Sequence, residues 1–124
     1  MRRTALVAAL TIAALPALAQ AAMPLPTFLD KADALQKKGM MAMFSGDLKL
    51  LQNEVQGATE ALRKERLAAK AAGRPQAYCP PADSGRMKAN ELLAALKQIP
   101  PAQRARMDVK AGMRVVLARR YPCR

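Results

Sequence analysis

Leu48, Leu51, Val55, Ala58 and Leu62 recur at steps of three and four residues, which lines them up as one stripe along an α-helix. Ser45 or Asp47 opens this stretch and Gly73-Arg74-Pro75 closes it just after Ala72. The pattern therefore predicts a helix of about 25 residues, roughly 37 Å long at 1.5 Å per residue. Beyond Leu62 it becomes strongly charged from Arg63 to Lys70, so this end is expected to project into solvent. Upstream, Thr27-Phe28-Leu29-Asp30 has the form of a capping box and Gly39 is a natural stop. These signals predict a first helix over Phe28–Lys38. Phe28, Leu29, Ala32 and Leu35 lie on its apolar face, and Asp33 and Lys37 form an i,i+4 pair on the other. Met40 to Gly46 is read as a short Met-rich connector.

Downstream, residues 73–86 hold Gly73, Pro75, Pro80, Pro81 and Gly85 and are read as a loop. Leu92, Leu93 and Leu96 predict a third helix over Lys88–Ile99, ended by Pro100-Pro101. A fourth helix, Ala102–Arg120, is predicted from Ala105, Val109, Met113, Val116 and Leu117 and stopped by Pro122. Strand-type alternation is absent from the sequence. The expected fold is all-α: a small four-helix, bundle-like domain with one long helix.

The N-terminus follows a different pattern. Met1-Arg2-Arg3 is basic, Ala5 to Leu15 is an uncharged apolar run, and Ala17-Leu18-Ala19 and Ala19-Gln20-Ala21 both fit a small-x-small cleavage pattern. The run is shorter than the ~20 residues a bilayer-spanning helix needs. Residues 1–21 are therefore expected to be a cleaved secretory signal and residues 22–124 a single periplasmic domain, not integral to the membrane. Export gives meaning to the two cysteines, Cys79 and Cys123. In an oxidising compartment an even pair reads as one disulfide. Cys79 precedes the third helix and Cys123 follows the fourth, so the bond would clasp an antiparallel helical hairpin. Closing a 44-residue loop stabilises by about 4 kcal/mol in the chain-entropy model. The chain has no Trp and only Phe28, Phe44, Tyr78 and Tyr121 as aromatics, so its core is poor in large side chains. A covalent clasp offsets that weakness.

The composition narrows the chemistry. There is no His, the commonest general base and metal ligand at neutral pH. The nine carboxylates are scattered, mostly with a Lys or Arg three or four residues away, and read as solvated helix faces. Neither an enzyme nor a cofactor is expected. Met40, Met41 and Met43 form a thioether cluster suited to Cu(I), although Met more often fills irregular gaps, here between the first and second helices. The formal net charge is +12, or about +10 once Arg2 and Arg3 are set aside with the signal. Nucleic acid is not expected as a partner, because an exported protein rarely meets it and stacking aromatics are few. Beside a merely solvated surface, two readings of the charge remain. One is an anionic lipid or polymer bound at Arg63, Lys64, Arg66 and Lys70, although Glu60 and Glu65 interrupt that patch. The other is an acidic protein partner, steered in by complementary charge. The contact surface is expected at the charged end of the long helix and in the 73–86 loop, with Arg63, Lys64, Arg66, Lys70 and Arg74 as its basic residues.

The C-terminal half carries a more specific pattern. Cys79-Pro80-Pro81, then Glu91-Leu92-Leu93, Leu96, Pro100 and Arg104, then Tyr121-Pro122-Cys123, resembles the Tai/resistance-associated family of type VI secretion immunity proteins. That family shows a C-x-P turn, a helix opening T-x-x-Q-L, a leucine-then-proline break and a last helix ending F/Y-P-C. Val55-x-Gly57-Ala58-x-Glu60-Ala61 is similar to its I-x-G-V-x-D-A run, with Gly57 placed to let a neighbouring helix approach closely. The likeness covers about residues 45–124. It departs where Leu51 stands in place of a cysteine of a second pair, and where Lys88 replaces a capping threonine, which would move the start of the third helix toward Ser84. The resemblance implies a small periplasmic inhibitor, often a homodimer, that blocks a secreted cell-wall amidase by inserting a loop or helix end into its cleft.

Overall fold

A computed structural model describes residues 22–124; the expected export signal lies outside them. Among the described residues all regular structure is helical: α1 (Leu25–Lys38), a 3₁₀ segment (Gly39–Phe44), α2 (Gly46–Ala71), α3 (Ala89–Lys97), α4 (Pro101–Arg104) and α5 (Val109–Arg120). No helix in this set is long and apolar enough to cross a membrane.

α1 begins three residues before the predicted start. Pro24 caps it and Pro26 sits in its first turn, where a missing N–H goes unnoticed. Thr27 lies inside the helix, exposed, and is not a cap. The earlier start buries Leu25 completely. Gly39 then ends the helix with φ +57°, a conformation that disfavours any side chain. The expected Asp33–Lys37 pair does not form; Asp33 instead bonds Lys97, which reaches it from the end of α3.

α2 follows its pattern closely. The Ser45 hydroxyl accepts from the Asp47 amide at 3.3 Å, and the Asp47 carboxylate sits favourably at the positive end of the helix dipole. Leu51, Ala58 and Leu62 are buried, with Leu48 and Val55 half-buried beside them. At the far end the Gly73 amide donates to the Lys70 carbonyl and the Arg74 amide to the Ala69 carbonyl, with Gly73 at φ +67°. That pair of bonds is a Schellman motif, and it turns the chain sharply into the 73–86 loop.

α3 starts at Lys88, with no shift toward Ser84. Lys88 takes the capping position in extended conformation, and its amide donates to the Glu91 carboxylate at 3.2 Å. The single helix predicted over Ala102–Arg120 is in fact two, α4 and α5. Asp108 breaks it: its backbone is extended and its carboxylate accepts from the Ala111 amide at 2.7 Å, making it the cap of α5. The break is also where the N-terminal segment docks. The Leu25 amide donates to the Met107 carbonyl (2.9 Å) and the Val109 amide to the Met23 carbonyl (3.0 Å), so that Pro24 and Asp108 form an isolated antiparallel bridge. Ala105, expected on the buried face, is exposed as a result.

The core gathers one face of α1, the α2 stripe, Leu96 and Ile99, and Val109, Met113 and Val116 of α5. α2 packs chiefly against α5 and α1, and α3 packs against α5. Close packing depends on Gly112, where a Cβ would lie 2.7 Å from Leu25 Cδ2 and 3.1 Å from Leu96 Cδ2. Gly57 does not play the role expected of it, since nothing lies within 4 Å of its missing side chain. The Cys79–Cys123 disulfide is present as predicted. The hairpin it closes is antiparallel, with Arg120 reaching Glu91 at 3.6 Å near the clasp and Leu96 meeting Gly112 further along.

Candidate functional site

The five basic residues singled out in the sequence lie on the second half of α2 and the turn that follows, but they do not behave alike. Arg63, Lys64, Lys70 and Arg74 are exposed, and none of them joins an ion pair among the described residues. Arg63 and Lys70, two helical turns apart, share a face of α2. Arg66 is half-buried and differs. Its guanidinium lies over the ring of Tyr78, 5.5 Å from the centroid, and its Nε is buried without a hydrogen-bond partner. Tyr78 belongs to the core and is bonded in sequence to Cys79. Arg66 therefore fastens the 73–86 loop to α2 through a cation–π contact and its aliphatic stem.

The expected interruption of the patch by acids is removed at Glu65 and remains at Glu60. Glu65 accepts from Lys110 and, at 2.9 Å, from Arg114, both on α5. Hydrogen bonding from Lys110 and then from Arg114 holds its carboxyl below the usual range. Glu60 is engaged by the Gln56 amide at 3.3 Å. The result is a cationic helix end, with Arg63 and Lys70 on one side of α2, Lys64 about a quarter-turn or more round it and Arg74 on the terminal turn, braced from α5 and by the Arg66–Tyr78 stack. The main-chain bond from Cys79 to the Tyr121 carbonyl (2.8 Å) and the disulfide complete the brace. Beneath the turn is a cleft of about 170 Å³ lined by Leu62, Arg66, Ala69, Pro75 and Tyr78, too small to take more than a short side chain.

Lys110, Arg114 and Tyr78 escaped the sequence reading. Each acts through a partner more than ten residues away, and no local spacing marks such a contact. Among the described residues no polar or charged side chain is buried and no cluster of three His, Cys, Asp or Glu is placed to hold a metal ion. The methionine cluster is not gap-filling: Met40, Met41 and Met43 stand in solvent on the 3₁₀ segment, and only Ala42 turns inward. Comparison with known protein families, curated proteins and solved structures finds no match to this chain.

Proposed function

We propose that this is an exported, noncatalytic binding protein that captures an acidic protein partner through the face formed by Arg63, Lys64, Lys70 and Arg74. One observation carries the reading: among the described residues the four cations are exposed and unpaired on a helix end where Glu65 is already taken by Lys110 and Arg114, which leaves Glu60 as the nearby acid that is in no ion pair. Such a face has a net charge to offer, steers an acidic surface into register and loses little side-chain freedom in its supporting shell. The loop it borders is anchored by a disulfide and an Arg–Tyr stack, so it presents a fixed shape. The resemblance to the immunity family makes a secreted cell-wall amidase the first partner to try, with inhibition by occlusion of its cleft.

The test is titration of the protein against the secreted amidase encoded in a neighbouring reading frame, following both binding and peptidoglycan hydrolysis. Changing Arg63, Lys64, Lys70 and Arg74 together to Glu should weaken the complex by at least about a hundredfold, since close charge pairs across an interface are commonly worth several kcal/mol in sum. Raising the salt concentration should slow association. A complex indifferent to the charge reversal would remove this face from the interface, and an amidase that is neither bound nor inhibited would remove the partner.

A further inference from the structure

The opposite end of the molecule has another kind of surface. In the 3₁₀ segment between α1 and α2, Met40, Met41, Met43 and Phe44 are 85%, 68%, 74% and 86% exposed, and Leu50 in the first turns of α2 adds to them. Large apolar side chains are seldom left together in water on a small soluble domain unless something covers them. Within the segment only Ala42 turns toward the core, and it is half-buried; the four large side chains stand in solvent.

The charges around this tip decide among the occupants. Lys37 and Lys38 precede it and Lys49 follows, all exposed. The one carboxylate in residues 34–53 is Asp47, and it is bonded to Lys31 at 3.0 Å. A second copy docking tip to tip would set these lysines against their counterparts with no free acid between them. A cuprous ion held by the three thioethers would sit among three cations and would leave Phe44 without a role. An anionic bilayer satisfies both features together. Methionine and phenylalanine side chains enter the boundary between headgroups and acyl chains, while the lysine stems lie along the apolar surface and their ammonium groups meet phosphates.

We propose that the tip formed by Met40, Met41, Met43 and Phe44, rimmed by Lys37, Lys38 and Lys49, docks this protein onto an anionic lipid surface. The tip and the basic face lie at opposite ends of α2, separated by roughly 36 Å along the helix axis from Gly46 to Lys70. A protein docked by the tip therefore keeps its partner-binding end away from the lipid.

The chain lacks Trp, so Phe44→Trp supplies a single fluorescent reporter at a site already in solvent. Vesicles of equal parts phosphatidylglycerol and phosphatidylcholine at low salt should shift its emission to the blue, and phosphatidylcholine alone should not. In vesicle co-sedimentation, Met41→Ser with Phe44→Ser should lower partitioning by about tenfold or more, and Lys37→Gln, Lys38→Gln and Lys49→Gln together by a similar factor. At about 0.15 M salt, changing Arg63, Lys64, Lys70 and Arg74 to Gln should lower vesicle binding far less than the Lys37, Lys38 and Lys49 changes do, and an equal or greater loss overturns the tip as the docking site and marks the basic end instead. The proposal is overturned by a reporter blind to anionic vesicles, or by tip variants that partition like the parent. It is equally overturned by a blue shift already present without vesicles, whether it grows with protein concentration (a second copy) or does not (the apolar residues 5–15 folded over the tip).

Discussion

Two glycines on neighbouring helices have opposite environments. Gly112 of α5 lies under Leu25 and Leu96, both fully buried, so neither side chain has room to swing away from an added methyl group. Gly112→Ala should cost about 1–3 kcal/mol by overpacking, less the modest gain from alanine's higher helix propensity. Gly57 of α2 is exposed with open space around it. Gly57→Ala should stabilise by about 0.5–1 kcal/mol, because only the propensity change is left. Urea denaturation of the two variants beside the parent reads both signs at once. Arg66 is the other residue whose environment matters more than its charge. Arg66→Ala should cost about 1 kcal/mol and loosen the 73–86 loop, which limited proteolysis would register as faster cleavage there. The sequence named Arg66 but not its work, since a stack on Tyr78 is invisible to local spacing. It offered Gly57 by analogy and passed over Gly112, because a glycine's value depends on what packs over it.

At the scale of elements, the apolar period located α1, α2 and α3 well, and the Pro-Pro break and the glycine stops set most of their ends. The period also misled. Ala105, Val109 and Met113 keep helical spacing straight through Asp108, yet the side chain of Asp108 starts a new helix and the N-terminal segment binds the gap. A long-range main-chain contact outweighed local periodicity. The clasp on the last two helices was legible because cysteine positions and predicted helix ends agree. Its removal by reduction, or by Cys79→Ser with Cys123→Ser, should lower stability by about 4 kcal/mol if the entropy of the unfolded chain dominates. Thermal melting with and without a reductant tests this. The expected signature is a lower midpoint with helical content largely kept below it, since α1 and α2 do not depend on the bond.

Seen whole, the molecule carries surface ion pairs that link α1 to α2 and α3, α2 to α5, and α3 to α5 around the apolar core. The most connected is Glu65, shared by Lys110 and Arg114 across α2 and α5. Its carboxyl is held below the ordinary range when folded, so its contribution is present above that range and is lost as the pH falls through the lowered folded value. Solvent exposure keeps that contribution to about 1 kcal/mol or less. Glu65→Gln should therefore destabilise slightly at pH 7 and flatten the acid limb of the stability curve; denaturant midpoints at neutral and acid pH measure it. Net charge was readable from composition at once, but its partition into a basic face, a lysine-rimmed apolar tip and a set of mutually satisfied pairs was not. That partition depends on which helix lies beside which.

The bridge between Pro24 and Asp108 has a consequence in time. Met23 gives its carbonyl to Val109 and takes Glu54 as the acceptor for its amide at 3.0 Å, while Leu25 is sealed in the core. Cleavage after Ala21, expected from the sequence alone, would need several residues on both sides of the bond drawn out straight in the peptidase's groove. The same backbone cannot lie in that groove and in the bridge. Were the signal expected at residues 1–21 cleaved there, cutting of the chain and docking of the Met23–Leu25 segment would compete for one short stretch of backbone.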